Sequence, residues 1–219
     1  MAVITVAGMI GAGKTTLTDL IADRMEFTPL YEEVDNSPIL PLFYTASDEE
    51  KEAKRYSFLL QLDFLNGRFS KIKEALITND AVMDRSIYED EHFARVLNKR
   101  GEISDLEFDI YQKLLHNMLE ELQELPKKSP DLLVYLDISF ELALERIGMR
   151  GREFEQDDSL REYYHDLWSS YDHWVKEEYN QSEILIIKAD DYDLVNSERD
   201  RLEVLSQIET KYNTLAKSY

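Results

Sequence analysis

Gly8-Met9-Ile10-Gly11-Ala12-Gly13-Lys14-Thr15 has the spacing G-x-x-x-x-G-K-[ST], and each fixed position in that pattern has a chemical use. The glycines let successive backbone N–H groups turn inward around phosphate oxygens, and the N-terminus of a following helix adds positive potential. Lys14 can reach the β- and γ-phosphates, and the Thr15 hydroxyl can be given to Mg²⁺. With Thr16 behind it, this segment implies a bound nucleoside triphosphate and leaves open what accepts a phosphoryl group.

Other reactive side chains stand just after apolar runs. Glu32 and Glu33 follow Phe27-Thr28-Pro29-Leu30-Tyr31. A carboxylate there can take a proton from a hydroxyl attacking the γ-phosphate, or it can be a solvated loop acid. Asp84-Arg85-Ser86 follows Ala81-Val82-Met83. An acid in that place suits Mg²⁺, with Arg85 a fixed cation beside it, and Asp137 after Leu132–Leu136 is a rival for the same ion. Gln61 and Arg68 share one face of a predicted helix with Leu65, near Phe64 and Leu60. Polar groups on so apolar a stripe point to a pocket wall, and the Gln61 amide offers a donor and an acceptor to a nucleobase edge. Arg146, Arg150 and Arg152 form R-x-x-x-R-x-R, interrupted by Gly151. Such arginines can close over a triphosphate as a lid, although cations also suit a helix C-terminus for electrostatic reasons alone.

The elements that must position these groups alternate along the chain. Ala2–Ala7, Phe27–Tyr31, Ala81–Asp84, Leu132–Leu136 and Ile184–Ile187 read as strands. Helical patterns cover Thr15–Arg24, Ser37–Tyr44, Glu49–Ile77, Ser86–Lys99, Ser104–Leu125, Phe140–Met149, Ser159–Tyr179 and Ser197–Ala216. Ser37-Pro38 and the capping boxes Ser104–Glu107 and Ser159–Glu162 mark helix starts. Apolar strands separated by helices imply an α/β fold with a parallel sheet covered on both faces. Ligands of such sheets bind at the carboxyl ends of the strands, where Glu32, Asp84 and the glycine loop lie.

With 219 residues, 43% of them hydrophobic, and no repeat or linker, the chain suits one domain spanning 1–219. A net charge of −20 argues against nucleic acid or an anionic membrane as partner. The lack of cysteine excludes disulfides and thiolate metal sites. No signal peptide or membrane span is visible, so a cytoplasmic location is expected.

Taken together these residues resemble the deoxynucleoside kinase family, and are most similar to its bacterial deoxyadenosine/deoxyguanosine kinases. The likeness runs from Val3 to about Asp193. It rests on Gly8–Thr15, Tyr31–Tyr44, Gln61–Arg68, Asp84–Asp90 and Arg150–Glu155. The resemblance implies a P-loop NTPase-type three-layer α/β/α fold with a five-stranded parallel sheet and an Arg-rich lid at about 150–158. It implies phosphorylation of a deoxynucleoside 5′-hydroxyl by Mg–ATP, with Gly8 to Thr16 and Arg146, Arg150 and Arg152 holding the donor.

By the same resemblance Glu32 is the general base, Arg85 stands near the 5′-oxygen, and Lys14, Arg150 and Arg152 steady the γ-phosphoryl. Glu33 occupies a place where many members have proline. Tyr44 and Glu155 hold the 3′-hydroxyl and pack closely at the 2′ position, Gln61 reads the base, and Phe93 stacks on it. Thr15 and Asp84 hold Mg²⁺. Arg68 and Asp90 form a charged pair lining the base pocket, which favours deoxyadenosine, then deoxyguanosine or deoxycytidine, over thymidine. The family's usual dimer implies contacts through helices of about 53–78 and 86–99, with Tyr56, Phe58 and Phe69 at the seam. A thymidylate-type monophosphate kinase would need further cations for the acceptor phosphate. A GTP switch would need Asn-Lys-x-Asp, and Asn98-Lys99-Arg100-Gly101 lacks the aspartate.

Overall fold

The five apolar runs pair as one parallel sheet in which the first run is central, flanked by the third and second on one side and the fourth and fifth on the other. In the computed structural model, which describes residues 2–32, 36–75, 80–123 and 130–216, they are β1 (Val3–Gly8), β2 (Thr28–Leu30), β3 (Ala81–Asp84), β4 (Leu132–Asp137) and β5 (Glu183–Lys188). Register sets Val6 beside Asp84 on one side and Val134 on the other. Every residue of β1 and β3, and all of β4 save its last, is buried. Helices covering both faces leave these strands no solvated side, which explains why they are continuous apolar runs without alternation.

The helices are α1 (Lys14–Met25), α2 (Leu40–Thr45), α3 (Asp48–Lys54), α4 (Tyr56–Ala75), α5 (Ile87–Lys99), α6 (Asp105–Gln123), α7 (Phe140–Arg150), α8 (Arg161–His173) and α9 (Glu198–Ala216). The single helix expected over 49–77 is two. Arg55 takes a left-handed conformation (φ 55°) that ends α3, and its guanidinium pairs with Glu107 at the start of α6. Its far end at 76–77, like 124–125 of the helix expected over 104–125, lies outside the described residues. The helix expected over 159–179 also divides: a 3₁₀ turn at Asp158–Leu160, then α8, then a π-type turn at Trp174–Glu178. Ser37 does cap, its hydroxyl accepting from the N–H groups of Ile39 and Leu40 at 3.3 Å, but regular helix starts only at Leu40.

Two placements bear on function. Gly151 (φ +76°) ends α7, and a 3₁₀ turn at Glu153–Glu155 follows, its Phe154 ring stacked on Tyr44 at 5.6 Å. Helix α5, expected to offer a dimer face, is enclosed instead: no residue from 87 to 97 is exposed. Its neighbours take all its apolar side chains, and Phe58 and Phe69 are half-buried against the cluster of Leu65, Ile87, Ala94, Tyr111 and Leu115. Tyr56 donates its hydroxyl to Glu50 at 3.3 Å.

Candidate active site

The loop after β1 folds as its glycines allow. Gly8, Gly11 and Gly13 all have positive φ. At Gly11 a side chain is excluded twice over, because φ is +82° and a Cβ would stand 2.6 Å from the Ala143 carbonyl oxygen. The Lys14 ammonium turns back onto the loop, donating to the carbonyls of Gly8 at 2.8 Å and Met9 at 2.9 Å. Burial, helped by nearby Arg85, lowers its pKa to about 7. Gly8 and Met9, expected to touch the triphosphate, supply these carbonyls and are not among the residues lining the two cavities that flank the loop.

Two cavities meet at this loop, and Gly13, Thr16 and Arg150 line both. The larger, about 530 Å³, is also lined by Ile10, Lys14, Thr15, Glu32, Tyr44, Gln61, Asp84, Arg85, Asp90, Phe93, Arg152 and Glu155. The smaller, about 360 Å³, lies between Gly11, Ala12, Arg146 and the segment Ala189–Asn196. Arg146, expected to hold the donor, lines the smaller cavity. It donates to the Ala12 carbonyl at 3.0 Å and to that of Ala189 at 3.4 Å, fixing the loop from behind. The segment 189–196 carries no sequence pattern that marks it as a cavity wall, and only the chain's return after β5 brings it there.

Glu32 stands between two guanidinium groups. Arg68 donates to its Oε1 at 2.6 Å and Arg85 to its Oε2 at 3.3 Å. Burial alone would raise its pKa, but Arg85, then Arg68 and Lys14, outweigh burial and hold it at about 2. Glu33 lies outside the described residues. Arg85 has a positive φ of 79° at the end of β3, an unusual backbone for a side chain of its size. That turn carries its guanidinium over the Phe93 ring, 4.4 Å from the centroid.

Arg68 departs from expectation, for it does not line the cavity. Behind the wall it donates to Glu32, to Asp90 Oδ2 at 3.2 Å and to the Asp84 carbonyl at 2.9 Å. A buried cation needs such partners, and these three acceptors take up its fork. Only Asp90 of the pair faces the cavity. Burial pushes the Asp90 carboxyl up to about 6 against the pull of Arg68. Gln61 is 2% exposed, and among the described residues nothing hydrogen-bonds its amide, which is left for whatever enters.

Two of the arginines expected to form a lid converge on one acid. Arg152 donates to Glu155 Oε1 at 3.1 Å, and Arg150 lies 3.8 Å from Oε2. On the loop side, Thr15 donates its hydroxyl to Asp84 Oδ2 at 2.6 Å, while buried Asp84 Oδ1 has no hydrogen-bond partner among the described residues. A hydroxyl and an orphaned carboxylate oxygen at the triphosphate end are hard donors that fit Mg²⁺. The rival acid Asp137 is paired with Lys188 at the end of β4. The Asn98 amide is also committed, donating to the Ile103 carbonyl at 3.0 Å and to Asp105 at 3.1 Å.

Sequence reasoning missed one buried acid here. Glu89 is 0% exposed, and its Oε1 receives the Gly8 N–H at 3.0 Å and the Tyr171 hydroxyl at 2.7 Å. Its place four residues after Arg85 on the inner face of α5 was the available signal.

Comparison with known proteins agrees with this geometry. The family model described as "Deoxynucleoside kinase" matches residues 4–213. A deoxyguanosine kinase from Lactobacillus johnsonii is 45% identical over 99% of this chain and 95% of its own length. A deoxyadenosine kinase from Lactobacillus acidophilus is 42% identical over 95% of each. The solved structure of a deoxyadenosine kinase from M. mycoides with bound dATP superposes with a TM-score of 0.78 at 24% identity, covering 95% of this chain and 99% of that one, and shows the same fold.

Proposed function

The chain belongs to the deoxynucleoside kinase family and is a phosphotransferase acting on deoxynucleosides, and we propose that Mg–ATP is its donor, Glu32 its general base and deoxyadenosine its best acceptor. Deoxyguanosine or deoxycytidine comes next, and thymidine is poor. What carries the reading is the convergence of Glu32, Arg85, Lys14 and Thr15 on one cavity wall, with a second cavity across the same loop. Two cavities flanking one phosphate loop suit an in-line transfer between two bound substrates.

The donor base occupies the smaller cavity, and its triphosphate lies over Gly11 to Thr16. The deoxynucleoside occupies the larger, with its sugar between Tyr44 and Glu155 and its base against Gln61, Phe93 and Asp90. Asp90 prefers bases that carry an exocyclic amino group, which thymine lacks, because an ionised carboxylate only accepts hydrogen bonds. Among the full-length relatives, those named deoxyguanosine and deoxyadenosine kinases support a purine site.

Glu32 is ionised at neutral pH and so is ready to accept the 5′-hydroxyl proton. While clamped by two arginines it is a weak base. An arriving triphosphate competes for Arg85 and Lys14, loosens that hold and raises the proton affinity of Glu32 where the proton must go. Arg150 and Arg152 leave Glu155 for the phosphates and offset charge developing in the transfer. Thr15 and Asp84 would hold Mg²⁺, which would offset the negative charge of the triphosphate.

We further propose a homodimer and a cytoplasmic role in nucleotide salvage. The dimer rests on Leu106, Ile110 and Leu114, exposed one turn apart along α6, with exposed Leu59 of α4. No described helix is long and apolar enough to cross a membrane.

The test is ADP formation with each deoxynucleoside. The expected order of kcat/KM is deoxyadenosine first and thymidine last, and a clear thymidine preference overturns the base assignment. Glu32→Gln should lower kcat by about 10²-fold or more with nucleoside binding little changed. Survival of activity in that variant, with its loss in Glu33→Gln, moves the base by one residue.

A further inference from the structure

Sheet pairing leaves the first glycine of the phosphate loop facing a gap. The Val6 carbonyl accepts the Arg85 N–H at 2.9 Å, where β1 and β3 run side by side. Backbone groups of a strand turn to alternate neighbours, so Gly8, two residues on, faces β3 again. But β3 ends at Asp84, and the positive φ of Arg85 turns the chain out of the ladder. The buried N–H and carbonyl of Gly8 therefore need partners that no strand supplies. Side chains fill both places. The N–H donates to Glu89 Oε1 at 3.0 Å, and the carbonyl accepts the Lys14 ammonium at 2.8 Å and the Tyr171 hydroxyl at 3.1 Å.

Glu89 does more than complete the ladder. The same Oε1 accepts the Tyr171 hydroxyl at 2.7 Å and Arg85 Nη1 at 3.4 Å. Its Oε2 accepts the Ser86 N–H at 3.3 Å, closing the capping box of α5. A capping box ordinarily sits at a solvated helix end. Here the carboxylate is wholly buried, and Glu89 is not among the residues lining the larger cavity.

Arg85 is thereby held between two carboxylates. Glu32, on the cavity wall, accepts from its Nε at 3.3 Å, and Glu89, behind the wall, accepts from its Nη1. Burial works against the charge of Arg85, and Glu32, then Glu89, outweigh burial and hold its pKa well above the ordinary value. We infer that Glu89 is a positioning residue for the phosphoryl transfer: by holding the Gly8 N–H and the Arg85 guanidinium on one buried oxygen, it fixes that cation relative to the phosphate loop and keeps it from collapsing onto Glu32. Transfer between two bound substrates is sensitive to such placement, since a shift of about 1 Å can cost on the order of 10²-fold in rate. Without the Glu89 charge, Arg85 is drawn to Glu32, weakens it further as a base and leaves the path of the phosphoryl group. The inference rests on the proposed roles of Arg85 as a group that meets the triphosphate and of Glu32 as the base.

The experiment is a double-mutant cycle on the single-turnover rate of phosphoryl transfer, with both substrates saturating. Glu89→Gln keeps the size of the side chain and removes its charge. It should lower the rate by about tenfold or more, with the KM for the deoxynucleoside little changed. In an Arg85→Met background no guanidinium is left to position, so adding Glu89→Gln should cost nothing further. A role confined to supporting the loop would cost equally in both backgrounds. That result, or an unchanged rate in Glu89→Gln alone, overturns the inference. If Arg85→Met alone keeps the wild-type rate, the reading of Arg85 fails and the inference falls with it.

Should Glu89→Gln not fold, a variant that leaves Glu89 intact carries the test. In Glu32→Ala the Nε–H order parameter of Arg85, from ¹⁵N relaxation, should stay as high as in the wild type, because Glu89 still holds the guanidinium. A marked drop shows that Glu32 is what positions Arg85 and overturns the inference.

Discussion

Lys14 is a buried cation placed beside another cation. It is buried on two carbonyls beside Arg85, and its pKa is held near 7, so above that pH a growing fraction is neutral before nucleotide arrives. A triphosphate favours the charged form and raises that pKa. Binding Mg–ATP should therefore take up protons, the uptake growing as pH rises above about 7. Calorimetry in buffers of different ionisation enthalpy at pH 8 measures it, and Lys14→Met should abolish this component. Proton release by the wild type in that range refutes the assignment. Chemistry at this scale was largely readable beforehand, because residue types announce it: Lys14, Thr15, Glu32, Asp84 and Arg85 all meet at the larger cavity. Arg68 was misjudged because a helix face says which residues lie together and not which of them a neighbouring acid pulls behind the wall.

Among the elements, the contact of the phosphate loop with α7 is the tightest fit. Gly11 approaches the Ala143 carbonyl with no room for a methyl group, and its φ of +82° would strain any side chain. Gly148, in the same helix α7, meets nothing within 4 Å. Gly11→Ala should lower stability by about 2 kcal/mol or more and weaken nucleotide binding. Gly148→Ala should be neutral or stabilise by up to about 1 kcal/mol, since alanine favours the helix. Thermal melting of the two variants compares them, and equal melting temperatures would show that the loop does not depend on that close approach. Periodicity gave the elements well and their breaks poorly. The breaks at Arg55 and after His173 fall inside stretches that read as single helices, because an ion pair with Glu107 and a change to π-type winding are tertiary choices.

At the scale of the molecule, the proposed dimer follows from the enclosed α5 and the exposed stripe on α6. Leu106 is 69% exposed and Ile110 48%, on a helix whose opposite face buries Tyr111 and Leu115. Sedimentation equilibrium should find a dimer, and Ile110→Asp should shift it to monomer with the circular dichroism unchanged. Leu202→Asp, 54% exposed on α9, should leave the dimer intact. A monomeric wild type, or dissociation by Leu202→Asp alone, rejects the α6 seam.

Sequence by itself determined the α/β alternation, the phosphate loop and the identity of most groups that face the larger cavity, because spacing and residue type are local properties. Tertiary structure alone decided which acid faces Thr15, that Arg68 braces from behind, that the segment after β5 walls a second cavity, and that Glu89 and Tyr171 reach the loop. These depend on contacts between segments far apart in the chain, where burial makes each charge find whatever partner the packing offers.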